Sequence, residues 1–169
     1  MPELWDAYLP DGKKAGRTLT RGEKIPTGLY HIVADVLVKH ADGEYLLMQR
    51  DFRKAGFPGK FEAGASGAIL MGETPYEGAL RELKEETGIA ADRLTFLFAA
   101  SDLQNTLYFS YLCLTGCAKD GVTLQAGETI AYRWLSESEL SALMQTSDVI
   151  PGARDRWQPY MKTVRAFHG

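Results

Sequence analysis

The stretch from Thr74 to Gly88 carries the signals of a helix with defined ends, and it constrains the fold more than any other part of the chain. Thr74 and Glu77 have the spacing of a capping box, and Pro75 falls at the first helical position. Gly88 follows the last helical residue, where a left-handed cap favours glycine. These signals predict a helix over residues 75–87.

Acidic residues are concentrated on this helix, with five between positions 73 and 86 against 22 in the whole chain of 169. When residues are placed about 100° apart, Glu82, Glu85 and Glu86 share one arc about 100° wide. That arc lies beside the apolar stripe that we expect to be buried. Gly78 falls inside the arc, where we expect it to leave open space beside the acids.

This acidic arc has two interpretations. One is a solvated helix face with pairing between residues four apart. However, the acids adjoin the apolar stripe, only Arg81 is placed to pair with them, and like charges about 4 Å apart repel by about 4 kcal/mol near a surface. We therefore interpret the arc as a divalent-cation site. Oxygen ligands in a half-open cluster suit Mg²⁺ or Mn²⁺ better than zinc.

The residues around the helix have a spacing that resembles the complete Nudix box, here residues 67–89. The matching residues are Gly67, Glu73, Arg81, Glu82, Leu83, Glu85, Glu86, Gly88 and Ile89. The resemblance implies an α/β fold, the Nudix-type α/β/α sandwich with a mixed β-sheet. It also implies metal-dependent hydrolysis of a small-molecule substrate, a (nucleoside) diphosphate linked to another moiety. We expect one domain over 1–169, with an N-terminal extension at 1–28 and a C-terminal helix over about 152–167.

The resemblance also implies roles for the charged residues of the box. Glu82, Glu85 and Glu86 would bind the divalent cations. Arg81 would orient a carboxylate, and Glu73 would pair with Arg81. Gly67 would let the loop turn closely past the helix.

Charged residues outside the box are further candidates. Glu128 lies in a loop where relatives often place an additional base or metal-binding glutamate, and the alternative is an exposed loop acid. Arg50 and Arg53 precede the box, where cationic groups would hold substrate phosphates, and the alternative is scattered surface charge. His31 is a candidate for touching the substrate, or else a structural histidine.

Segments outside the box, at residues 5–18, 28–31, 49–50 and 57–61, resemble the branch that includes isopentenyl-diphosphate isomerase. In that isomerase a cysteine and a metal-binding histidine follow the Phe57-Pro58-Gly59 segment, but Ser66 and Ala68 replace them here. This departure favours hydrolysis over isomerisation. A non-catalytic ligand-binding module is a third alternative, against which the intact box argues.

The composition of the chain limits the classes of partner and the cellular location that we expect. A net charge of −3 argues against a polymeric nucleic acid partner, which would require a basic face. No apolar run is long enough for a membrane span, and the first residues lack a secretory signal, so we expect a cytoplasmic location. The sequence leaves a homodimer open.

Apolar and alternating runs predict the rest of the architecture. The expected strands cover residues 30–38, 44–50, 94–100, 106–117 and 130–135. A second capping box at Ser136 and Glu139 opens a short helix that we expect to run to about Met144.

Overall fold

A mixed β-sheet with helices on both faces forms the body of the protein. The computed structural model describes residues 1–102 and 104–167, and within these ranges the chain forms nine strands and three α-helices. The strands are β1 (Leu4–Tyr8), β2 (Lys14–Thr20), β3 (His31–His40), β4 (Tyr45–Arg50), β5 (Phe61–Ala63), β6 (Ala65–Ala68), β7 (Thr95–Ser101), β8 (Thr106–Thr115) and β9 (Thr129–Leu135). The helices are α1 (Pro75–Thr87), α2 (Glu137–Leu143) and α3 (Pro151–Phe167).

Seven of these strands make the main sheet, in which β3 is central. The strand order is β5-β4-β3-β8-β7, with β6 also pairing with β3 and β9 also pairing with β4. Strands β3 and β8 are parallel from His31 to His40, and the other pairs are antiparallel. The remaining two strands, β1 and β2, form a separate antiparallel hairpin.

Alternating side chains of β3 and β4 belong to two apolar cores, one on each face of the sheet. Val36 and Met48 belong to the core under α1, which contributes the buried residues Ala79 and Leu83. Leu37 and Leu47 point to the opposite face. There the buried side chains of α2 and α3 include Leu140, Ala153, Trp157, Tyr160 and Met161. Because successive strand residues face opposite sides, one sheet separates the two helical layers.

Helix α1 has the ends that its sequence predicts. Thr74 and Glu77 form a complete capping box, and Pro75 opens the helix. Gly88 ends it in the left-handed region at φ 74°, with its N–H donating to the Lys84 carbonyl. The capping box at Ser136 is also present, and it opens α2.

Four short or irregular strands were not predicted. Strands β1 and β2 lie in what the sequence showed only as an N-terminal extension, and β5 and β6 lie between the predicted strand β4 and the box. Strand β2 lacks regular apolar alternation, while β5 and β6 have only three and four residues. Their pairing partners, which local sequence does not specify, determine these strands.

In the described part of the chain, no helix has the length and apolarity that a membrane crossing requires.

Candidate active site

Strand β6 passes directly beneath α1, and this close approach creates the acidic side of a cleft. Gly67 lies in β6, paired with Ala34 of the central strand. A Cβ built on Gly67 would overlap the carboxylate of Glu82. Glycine is therefore required here because any side chain would displace the Glu82 head group.

This overlap makes a prediction. We expect Gly67→Ala to lower turnover by about 100-fold, because misplacement of a site group by about 1 Å has effects of this size. The measurement is kcat with Mg²⁺, compared with Gly116→Ala, where an added Cβ meets no atom within 4 Å. Wild-type turnover in Gly67→Ala would show that the position of Glu82 is unimportant.

Arg81 organises the acids around this cleft. Its Nε and Nη2 donate to the two oxygens of Glu73 at 2.7 and 2.9 Å. Its Nη1 donates to Glu82 at 2.6 Å and to Glu85 at 3.3 Å, and Nη2 also reaches the carbonyl of Ala68 at 3.1 Å. One guanidinium thus ties α1 to β6 and to the loop that carries Glu73.

The three acids of the arc differ in their burial. Glu86 is 5% exposed, whereas the side chains of Glu82 and Glu85 are 13% and 46% exposed. Burial raises the pKa of Glu82, and the neighbouring Arg81 opposes that shift. Burial, and then the nearby carboxylate of Glu62, raise the pKa of Glu86 well above its usual range. Glu82 and Glu86 are therefore poorly solvated, and the one guanidinium of Arg81 is shared among three carboxylates.

Glu62 of β5 is a buried acid that the sequence analysis missed. It is 3% exposed, accepts from Arg50 Nη1 at 2.8 Å, and accepts from Ser66 Oγ at 3.1 Å. The backbone N–H of Ser66 donates to Glu86 at 3.0 Å, so Ser66 links the two acids. The sequence signal was slight: an acid between Phe61 and Ala63 in an apolar segment.

Cationic side chains form another side of the same cleft, which has a volume of about 540 Å³. Arg50 and Lys54 line it, together with Glu82, Glu86 and Glu128. Lys54 forms an ion pair with Glu128 that links the loop after β4 to the loop before β9. The cleft therefore offers both carboxylates and cations to a bound molecule.

His31 and Arg53, the other residues predicted to contact the substrate, differ in their position relative to the cleft. His31 lines the cleft, with its Nε2 3.2 Å from Thr106 Oγ1. Arg53 is absent from the described residues that line the cleft, because its side chain is 78% exposed and pairs with Asp51 at 2.6 Å. The expectation of open space at Gly78 was wrong, since a Cβ there would overlap the side chain of Ile69.

The donor set of the cleft fits a hard divalent cation, because its ligands are carboxylate oxygens that lack sufficient positive partners. The acids are not gathered around one point, however. Within residues 1–102 and 104–167, no three His, Cys, Asp or Glu side chains form a ready ligand cluster. Arg81 instead holds Glu82 and Glu85 while it also pairs with Glu73, so these two acids would have to turn towards an incoming ion.

Comparison with known proteins assigns the chain to a family. Residues 29–154 match the family model described as the NUDIX domain. The chain belongs to the Nudix hydrolase family. An uncharacterized Nudix hydrolase of Listeria monocytogenes is 31% identical over 88% of this chain and 89% of its own length. An RNA pyrophosphohydrolase of Cereibacter sphaeroides is 29% identical over 59% of this chain and 70% of its own length.

A solved structure shows that the fold is shared as well. The crystal structure of a Deinococcus radiodurans protein superposes with a TM-score of 0.71 at 21% identity, covering 87% of this Nudix chain and 91% of that chain. The predicted α/β/α sandwich with a mixed sheet is confirmed. The family assignment is also confirmed, while the narrower isomerase-like branch stays a prediction.

Proposed function

We propose that this Nudix hydrolase is a Mg²⁺- or Mn²⁺-dependent pyrophosphohydrolase that cleaves a diphosphate linked to another moiety, with nucleoside diphosphate derivatives as the broadest substrate class. One observation carries the proposal. The undercompensated acids of α1 and the cations Arg50 and Lys54 line a single cleft. A diphosphate with its cations has the complementary charges.

The roles of the residues follow from their contacts. Glu82, Glu85 and Glu86 would hold the cation, with Arg81 and Glu73 keeping the acids in place. Divalent ions in such sites supply positive charge that neutralises phosphate oxygens and acidifies nearby water. Arg50, fixed by Glu62 at 2.8 Å, would donate to a phosphate oxygen.

Two groups are candidates for the base that takes the proton of the attacking water. One is a glutamate of α1, and the other is Glu128, which would first have to leave Lys54. Such a separation would free the Lys54 ammonium for phosphate at the same time. Catalysis would then depend on positioning and electrostatic stabilisation.

The relatives support the same type of reaction. The Cereibacter relative is named a pyrophosphohydrolase. The isomerase alternative has little support from the local chemistry, because Ser66 donates its hydroxyl to Glu62 and Ala68 contributes only a carbonyl to Arg81. Neither side chain replaces a thiol or an imidazole. The third alternative is a non-catalytic binding module. Such a module would bind the same compound without hydrolysing it.

A screen of diphosphate compounds with product identification tests the proposal. We expect hydrolysis in Mg²⁺ or Mn²⁺ and none after EDTA treatment, with activity restored by added metal. Saturable binding without product would instead identify a binding module. Conversion of isopentenyl diphosphate to dimethylallyl diphosphate would identify the isomerase.

A further inference from the structure

Part of the cleft wall comes from outside the segment that defines the family. The matched region begins at residue 29. Glu3, Trp5 and Arg21, which precede it, line the same cleft as Glu82 and Arg50. These three residues lie on or directly beside the β1–β2 hairpin, so the hairpin forms a wall of the cleft.

The hairpin is attached firmly to the loop of the box. The N–H of Met71 donates to the Leu4 carbonyl at 2.9 Å, and the N–H of Gly72 donates to Asp6 Oδ2 at 3.0 Å. A small apolar core joins the hairpin to the box. Its buried members are Trp5, Ala7, Leu19 and Leu29, and Ala68 and Leu70 pack against them. The wall is therefore held at a fixed position relative to the acids of α1.

The wall combines a stacked aromatic pair, in which Trp5 is largely buried, with a more exposed donor and acceptor. The rings of Trp5 and His31 stack with centroids 4.3 Å apart. Trp5 Nε1 donates to Glu3 Oε1 at 2.6 Å, and Arg21 Nη1 donates to Glu3 Oε2 at 2.9 Å. The side chains of Arg21 and Glu3 remain 58% and 28% exposed, so both keep free hydrogen-bonding positions.

Glu3 and Arg21 line the same cleft as Glu82 on its acidic side and Lys54 on its cationic side. The guanidinium of Arg21 adds to the effects of burial and of Arg50 in lowering the pKa of Lys54. A molecule whose diphosphate lies between the acids and the cations is thus within reach of the wall.

We propose that the Arg21–Glu3 pair, beside the Trp5–His31 stack, recognises the non-phosphate moiety of the substrate as a polar heterocycle with adjacent donor and acceptor groups, such as a nucleobase. This inference rests on the proposed diphosphate hydrolysis. A prenyl chain would desolvate the ion pair without replacing its hydrogen bonds. A wholly anionic moiety would be repelled by Glu3. A heterocycle with both kinds of group satisfies both side chains.

The test compares two classes of substrate in matched variants. Cytidine, uridine, adenosine and guanosine diphosphates carry a heterocycle, whereas methyl diphosphate carries none. We expect Arg21→Met and Glu3→Gln each to lower the ratio of kcat/KM for the preferred nucleoside diphosphate to that for methyl diphosphate by about 10-fold or more, mainly through KM. Arg17→Met removes an exposed cation from the same hairpin, and we expect it to leave the ratio unchanged.

A binding measurement keeps the inference separate from the proposed reaction. Calorimetry would compare an α,β-methylene nucleoside diphosphate with methylenediphosphonate in the presence of Mg²⁺. We expect Arg21→Met to weaken only the preference for the nucleoside compound. An unchanged preference, an equal loss for both compounds, or a wild type with no preference would overturn the inference. Absence of turnover with an intact preference would overturn only the proposed reaction.

Discussion

Glu86→Gln is expected to lower metal-dependent turnover by about 100- to 1,000-fold while the protein remains folded. Glu86 is the most buried acid of the arc, and its carboxylate lacks a cationic hydrogen-bond partner among the contacts described for it. Glutamine keeps the shape and can still accept from Ser66 N–H, but it removes the negative charge that a cation requires. The measurement is kcat across a titration of Mg²⁺ and of Mn²⁺.

The stability of the same variant has a predictable dependence on pH. Burial and the Glu62 carboxylate raise the pKa of Glu86 in the folded state. A raised folded-state pKa stabilises the protein below the unfolded-state pKa, and this contribution is lost as pH rises through the folded-state pKa. In EDTA at pH 7, Glu86→Gln should therefore melt no lower than the wild type.

Glu137→Gln is the control for this variant, because Glu137 lies on α2 at the opposite face of the sheet. We expect it to keep wild-type turnover. If Glu86→Gln also turned over at the wild-type rate, our assignment of the metal ligands would be wrong. Lower melting in EDTA would instead show that the Glu86 charge stabilises the fold.

Arg81→Lys is expected to lower both stability and turnover, even though it conserves the charge. The guanidinium binds Glu73 through two nitrogens and also reaches Glu82, Glu85 and the carbonyl of Ala68. An ammonium lacks the planar fork that these contacts require. We expect the free energy of unfolding to fall by about 2 kcal/mol and kcat by about 10- to 100-fold.

The measurements are denaturant unfolding and steady-state kinetics. Lys84→Met removes an exposed cation from the same helix, and its free energy of unfolding should change by less than about 0.5 kcal/mol. Combining Arg81→Lys with Glu73→Gln should cost less than the sum of the single changes, because the two residues share one ion pair. Strict additivity would mean that the ion pair contributes little.

The variant should also alter stability in acid. The side-chain hydrogen bond from Arg81 is the largest cause of the lowered pKa of Glu73. A lowered folded-state pKa stabilises the protein above the unfolded-state pKa, and this contribution is lost as pH falls through the folded-state pKa. This contribution is smaller in Arg81→Lys. Its free energy of unfolding should therefore fall less on acidification than that of the wild type.

Sequence predicted those parts of the structure that local signals specify. Helix α1 begins and ends where Thr74, Glu77 and Gly88 indicated, because capping involves only neighbouring residues. The long strands followed from apolar runs. The β1–β2 hairpin was not predicted, because residues 14–20 show no clear apolar alternation and are ordered by pairing with β1.

The site was predictable to the extent that it lies on α1. The spacing of Glu82, Glu85 and Glu86 placed them on one side of the helix within reach of Arg81. It could not show that Arg81 binds Glu73, Glu82 and Glu85 at the same time. Glu62 escaped notice because its significance comes from burial beside Ser66, which is a tertiary property. Arg53 lies outside the cleft lining and pairs with Asp51, two residues before it, a contact that the sequence pattern did not reveal.

The hairpin forms its own two-stranded sheet, and backbone hydrogen bonds between Tyr8 and Tyr30 and from Met71 to Leu4 attach it to the rest of the protein. Substitutions at its cleft-facing positions can therefore accumulate with little disturbance of the ladder that supports α1. Over evolutionary time, such a division would let relatives diversify in the compounds they select while inheriting the same hydrolytic centre.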